Sequence, residues 1–112
     1  MPARLAIAFV TAAELRFGAA KANWGGKRLV QQETALADLV VIHSDEGLIR
    51  TYAWLRAEAV RLGHPLGHRA NANDLWIAAC AVHHRLLLVT ANIRHFDGLR
   101  PWLRLLVPEG VR

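Results

Sequence analysis

The sequence predicts a layered α/β domain built on a parallel sheet. Short uncharged apolar runs of strand length alternate with longer stretches of helical periodicity, and strands alternating with helices imply parallel pairing. The chain has 112 residues, enough for one domain and too few for two. It has no internal repeat, low-complexity segment or inner linker, so residues 1–112 are read as a single domain.

Leu5-Ala6-Ile7-Ala8-Phe9-Val10 is short and apolar, as a strand buried on both faces would be. Thr11-Ala12-Ala13-Glu14 then has the S/T-x-x-E form of a capping box, predicting a helix through about Ala22. Asn23-Trp24-Gly25-Gly26 breaks it, Lys27 to Leu39 is a second helical stretch, and Val40-Val41-Ile42 is a short apolar run. Ser44-Asp45-Glu46 starts a third helix, with Leu48, Tyr52, Leu55, Ala59 and Leu62 as its apolar stripe. Gly63 stops it, and His64 to Gly67 is a loop. A fourth helix runs from near Asn73 to His84, apolar enough in its middle to be buried on most sides. Arg85 to Thr90 is the strongest strand signal, Asn92 to Asp97 a short turn or helix ended by Gly98, and Leu103 to Val107 the last strand.

With 54% hydrophobic residues the chain builds a core without staples. The single cysteine, Cys80, sits in the apolar run 75–82 and reads as a small buried hydrophobe, which fits a reducing cytoplasm. The uncharged run Leu5 to Ala13 imitates a secretory signal, but it is at the short end of such segments and reads better as a buried strand. It is also far below the ~18 residues of a membrane span. Net charge is +5, and twelve of the fourteen basic residues are Arg, whose fork matches phosphate. The basic residues are scattered, so charge alone points only weakly to nucleic acid. An acidic protein partner suits the same surface.

Three oxygen-bearing side chains recur at one architectural place. Glu14 follows the first strand, Asn92 follows the strand ending at Thr90, and Asp74 opens the fourth helix. In parallel sheets the carboxyl ends of strands and the amino ends of helices share the edge where ligands bind. Each residue also has an ordinary structural explanation: Glu14 as partner in the capping box, Asp74 as a helix-dipole anion, and Asn92 as a cap. The six histidines lack metal-site spacing: His64 and His68 are separated by Pro and Gly, and His83 and His84 sit at a helix end. Of the four Trp residues, Trp76 is expected in the core and Trp24, beside two glycines, at the surface.

Val10-Thr11-Ala12-Ala13-Glu14-Leu15-Arg16-Phe17-Gly18-Ala19 resembles the "T-x-A-E-L-x-x-G" segment of PIN-domain ribonuclease toxins of the VapC type. Asn73 to Ala79 is similar to their "D-x-W/L-I-A-A" helix, Leu88 to Leu99 to their "L-V-T-x-N/D-x-x-x-F-x-G-L" ending, and Gly63 to Gly67 to their "G-x-P-I/L-G" loop. The segments stand in the family's order over nearly the whole chain.

The resemblance implies a PIN-like three-layer α/β/α fold and an endoribonuclease using Mg²⁺ or Mn²⁺. Glu14 and Asp74 would be metal carboxylates, with Asn92 orienting a metal-bound water or a group behind the ligands. Asp97 would be at most an accessory acid. It further implies an RNA substrate, an antitoxin protein partner and a homodimer in the cytoplasm, with no membrane association. Hard divalent cations want carboxylate and water oxygens, which fits this set.

The sequence departs from the family in one respect. PIN domains begin with a strand carrying an Asp in a "V-L/I-D-T/S" setting, and no such strand precedes Leu5 here. Either the true start lies upstream of Met1 or the protein is a truncated relative; the chain as it stands is expected to lack the first strand of the sheet and its following helices, with weakened metal binding and cleavage. Unpaired edges beside an apolar slot would favour self-association. The alternative expectation is an inactive PIN remnant that binds RNA, an antitoxin or a copy of itself.

Overall fold

The computed structural model describes residues 5–90, 93–99 and 101–106. The chain forms two compact units, Met1–His43 and Ser44–Arg112.

In the first unit, β1 (Ala6–Ala8) leads directly into α1 (Phe9–Lys21), then α2 (Gly26–Ala37) and β2 (Val40–Ile42). β1 and β2 pair in parallel, with Ala6 opposite Val40 and Ala8 opposite Ile42. The pairing ends at Ala8, and beyond it the backbone finds its hydrogen-bond partners by turning helical at once. Phe9 and Val10, expected at the end of a longer strand, therefore lie in the first turn of α1. The N-cap is Ala8, with no side-chain cap bond, so the capping box expected at Thr11 and Glu14 does not form. Arg16 forks onto the Glu33 carboxylate with bonds of 3.1 and 2.9 Å, and Gln32 donates to the Leu15 carbonyl, tying α1 to α2. The Arg16 guanidinium holds the Glu33 carboxyl below its ordinary value and is itself raised by that carboxylate. The buried core here is small, made of Ala8, Ala12, Ala19 and Leu36, while Phe17 and Val30 are exposed.

The second unit opens with α3 (Glu46–Arg61), which starts at the expected Ser44–Glu46 signal and is capped by Asp45, whose Oδ1 accepts the Leu48 N–H at 2.8 Å. Two single 3₁₀ turns, Pro65–Gly67 and Arg69–Asn71, occupy the loop and lead into α4 (Ala72–His83). β3 (Leu87–Val89), α5 (Ile93–Phe96), a 3₁₀ turn (Asp97–Leu99) and β4 (Arg104–Leu106) complete it, with β3 and β4 parallel. Leu48, Leu55 and Ala59 of α3 are buried with Leu66, with Leu75 and Ala78 to Ala81 of α4, and with Phe96, Leu99 and Leu103. Leu62, expected in the α3 stripe, is the C-cap and exposed. Burial pushes the Cys80 thiol up to about 11, with Asp45 adding to the shift, so the cysteine is an inert core residue.

Among the described residues, each unit carries one parallel two-stranded pair, as the fold class predicts. Each described strand is three residues long. The strongest strand signal yields a half-exposed strand, with Leu87 and Val89 each more than two-fifths accessible. Two tryptophans also differ from expectation. Trp24 is half-buried with the Arg28 guanidinium 4.1 Å over its ring, and Trp76 is half-buried, stacked on Tyr52 at 3.9 Å.

Three helix ends share one device. At α3, Gly63 takes φ +69°, its N–H donates to the Val60 carbonyl, and the His64 N–H reaches back to Ala59 at 2.8 Å. Asn23 (φ 53°) after α1 and Arg85 (φ 54°) after α4 do the same, with Trp24 N–H to Ala19 and Leu86 N–H to Ala81. This left-handed closure suits Gly and tolerates Asn, whereas the Arg85 side chain strains it. Arg85→Gly is therefore expected to stabilise the protein by about 0.5–1 kcal/mol, read as a higher urea midpoint at unchanged slope.

Candidate active site

The site residues belong to different units. Glu14 lies in the middle of α1, exposed, six residues past the N-cap Ala8. With Ala8 at the N-cap, Glu14 is not the N3 member of a capping box. Asn92 lies outside the described residues.

Asp74 lies in the first turn of α4. The N-cap is Asn71, whose side-chain amide donates to the Pro65 carbonyl at 2.7 Å rather than making a cap bond. Asp74 is three residues further on, where the dipole favours an anion by ~0.3–1 kcal/mol. Its Oδ2 is 3.0 Å from His95 Nδ1, and the two side chains are 38% and 24% accessible. Asp97, the accessory candidate, is exposed in the 3₁₀ turn that follows α5.

His95, which sequence reasoning left among unremarkable histidines, is the residue the structure adds. Its ring lies against Phe96, centroids 5.4 Å apart, and Phe96 is buried. A second imidazole stands close by. His64 Nδ1 accepts the Leu66 N–H at 3.1 Å, and burial, with the His95 charge second, lowers its pKa. A neutral ring is what that acceptor role requires, and it leaves the proton on Nε2. The contribution of His64 to stability is therefore present above the ordinary histidine range and is lost as pH falls through the lowered value. Gly98 fits against this ring: a Cβ there would come within 2.5 Å of His64 Cδ2. The glycine expected to end a turn is thus fixed by a close approach. The only sequence signal for either feature was the "F-x-G-L" segment itself.

Among the described residues no three His, Cys, Asp or Glu side chains gather as a metal group. The donor chemistry still fits Mg²⁺ or Mn²⁺, because a half-exposed carboxylate is a hard oxygen donor. Mg²⁺ is commonly held by one or two carboxylates while keeping several waters. Also among the described residues, no helix is long and apolar enough to cross a membrane.

A PIN-domain family model matches residues 1–99. Ribonuclease VapC5 of Mycobacterium tuberculosis is 37% identical over 95 residues, covering 82% of this chain and 67% of that protein. Ribonuclease VapC2 of Haemophilus influenzae is 28% identical over 94 residues, covering 84% of this chain and 68% of its own length. The structure is similar to DNA-bound VapBC from Salmonella typhimurium, with a TM-score of 0.81 at 31% identity over 93% of this chain and 75% of that one. It is also similar to VapBC2 from Rickettsia felis bound to a promoter DNA fragment, with a TM-score of 0.79 at 30% identity over 93% and 74%.

Proposed function

The chain belongs to the PIN-domain family, and we propose that it is a metal-dependent endoribonuclease toxin that hydrolyses RNA phosphodiesters and is restrained by an antitoxin protein. One observation carries the reading: neither candidate carboxylate caps its helix, since Ala8 and Asn71 hold those positions while Glu14 and Asp74 stand further along. Relatives named as ribonucleases and neighbours solved as VapBC assemblies support the same class.

In this reading Asp74 would offer oxygens to Mg²⁺ or Mn²⁺, and Glu14 keeps the metal-carboxylate role that the family resemblance implies; the cation would sharpen a water nucleophile and offset charge growing on the phosphate. Asn92 would orient a metal-bound water or a group behind the ligands. A reducing cytoplasm suits the lone buried Cys80.

The test is single-turnover cleavage of a labelled RNA with the protein in excess. A Mn²⁺-dependent rate, abolished by chelator, is expected. RNA binding without any cleavage in Mn²⁺ would replace the enzyme with the inactive binding module.

Self-association belongs to the same proposal. Exposed Leu5, Phe17, Val30, Leu87, Val89 and Leu106 are surfaces that association covers. Sedimentation at roughly tens of micromolar, an ordinary range for weak association, is expected to show dimers or larger species. A stable monomer there overturns this part.

A further inference from the structure

Among the histidines, one touches a carboxylate to which the proposed function gives a role. His95 Nδ1 lies 3.0 Å from Asp74 Oδ2. An ionised carboxylate only accepts, so Nδ1 carries the proton and donates it to Oδ2. We propose that His95 is the positioning residue for Asp74: its Nδ1–H bond holds Oδ2 and turns Oδ1 towards the divalent cation. The inference rests on the metal reading of Asp74.

The frame around the pair is built to hold it still. His95 sits on the four-residue α5 between the end of β3 and a 3₁₀ turn, and the buried Phe96 and Leu99 anchor this segment. The Phe96 ring backs the imidazole at 5.4 Å. Gly98 closes the segment against His64, a ring fixed in turn by the Leu66 N–H. Asp74 is fixed on its side by the first turn of α4, whose neighbour Leu75 is fully buried. An aspartate carboxylate turns about its last bond with little preference, so a free one presents a cation with many poses. A donor on one oxygen selects one of them. Donors behind a ligating carboxylate commonly set metal affinity by ~10-fold or more.

A merely structural ion pair predicts something different: loss of His95 would lower thermal stability and leave metal affinity alone. Mn²⁺ binding by electron paramagnetic resonance separates the two, using the full chain at a temperature where circular dichroism shows every variant folded. His95→Ala is expected to bind Mn²⁺ ~10-fold or more weakly. His95→Asn, whose amide nitrogen reaches about where Nδ1 stood, is expected to stay within a few-fold of wild type. Asp74→Asn is expected to lose the binding. ¹⁵N spectra of the wild type should show the His95 proton on Nδ1, and in Asp74→Asn that preference should weaken. If His95→Ala binds as wild type while Asp74→Asn does not, the positioning role is overturned and the metal reading stands. His95→Asn as weak as His95→Ala overturns the hydrogen-bond basis. If wild type binds no Mn²⁺ at millimolar concentration, or Asp74→Asn binds as well as wild type, the metal reading fails and this inference fails with it.

Discussion

Asp74→Asn is expected to remove Mn²⁺-dependent RNA cleavage while leaving the protein folded, and the relative sizes of the two effects make the result diagnostic. On the proposed function, a bound divalent cation would supply several kcal/mol of charge stabilisation at the reacting phosphate. A loss of about 4 kcal/mol corresponds to roughly a thousandfold in rate. The structural cost is far smaller. Asp74 is not the cap of α4, so no capping bond is lost. Asn has the same size, and its amide oxygen still accepts from His95 Nδ1. What disappears is the favourable placing of a charge at the helix start, ~0.3–1 kcal/mol. A fall in melting temperature of a few degrees beside a loss of cleavage to background is the expected pair of readings. Cleavage within a few-fold of wild type would make Asp74 a helix-start anion and nothing more. Asp97→Asn serves as the comparison, since the site gives this exposed acid at most an accessory role.

The order of elements was legible because each leaves a local signature. The Ser44–Glu46 start, the Gly63 stop and the apolar runs at Val40 and Leu87 all act within a few residues of themselves, and the structure places them as expected. The capping box at Thr11 was the instructive failure. The pattern is locally sound, but the strand before it ends where its partner β2 ends, and that length is set by pairing between distant segments. The burial of Trp24 and Trp76 went astray for the same reason. Each was read from its neighbours in sequence, whereas Arg28 and Tyr52 decide it. Glu14 and Asp74 were legible as candidates through family spacing. His95 was not, since its partner lies twenty-one positions away and no local rule links a histidine to an aspartate at that distance.

Gly67→Ala is expected to destabilise the protein by about 1–3 kcal/mol, the range for forcing extra atoms into a packed site. Gly18→Ala is expected to stabilise it by about 0.5–1 kcal/mol. The same added methyl thus acts with opposite sign. Gly67 is buried in the first 3₁₀ turn, and a Cβ there would stand 2.9 Å from both the Val60 backbone nitrogen and Val60 Cγ2. A side chain can turn aside, but the backbone of α3 cannot do so without disturbing its own ladder. The turn would instead lift off the helix, weakening the Arg56 bond to the Gly67 carbonyl and the burial of Leu66. Gly18 lies inside α1 with nothing within 4 Å of the added atom and no positive φ. Alanine there only removes conformational freedom from the unfolded chain and improves helix propensity. Urea denaturation of both variants, compared at equal slope, checks the pair. A Gly67→Ala protein as stable as wild type would mean that the turn does not rest against Val60. A destabilised Gly18→Ala would mean that this face of α1 is covered in solution, in which case the double variant and the state of association should change together.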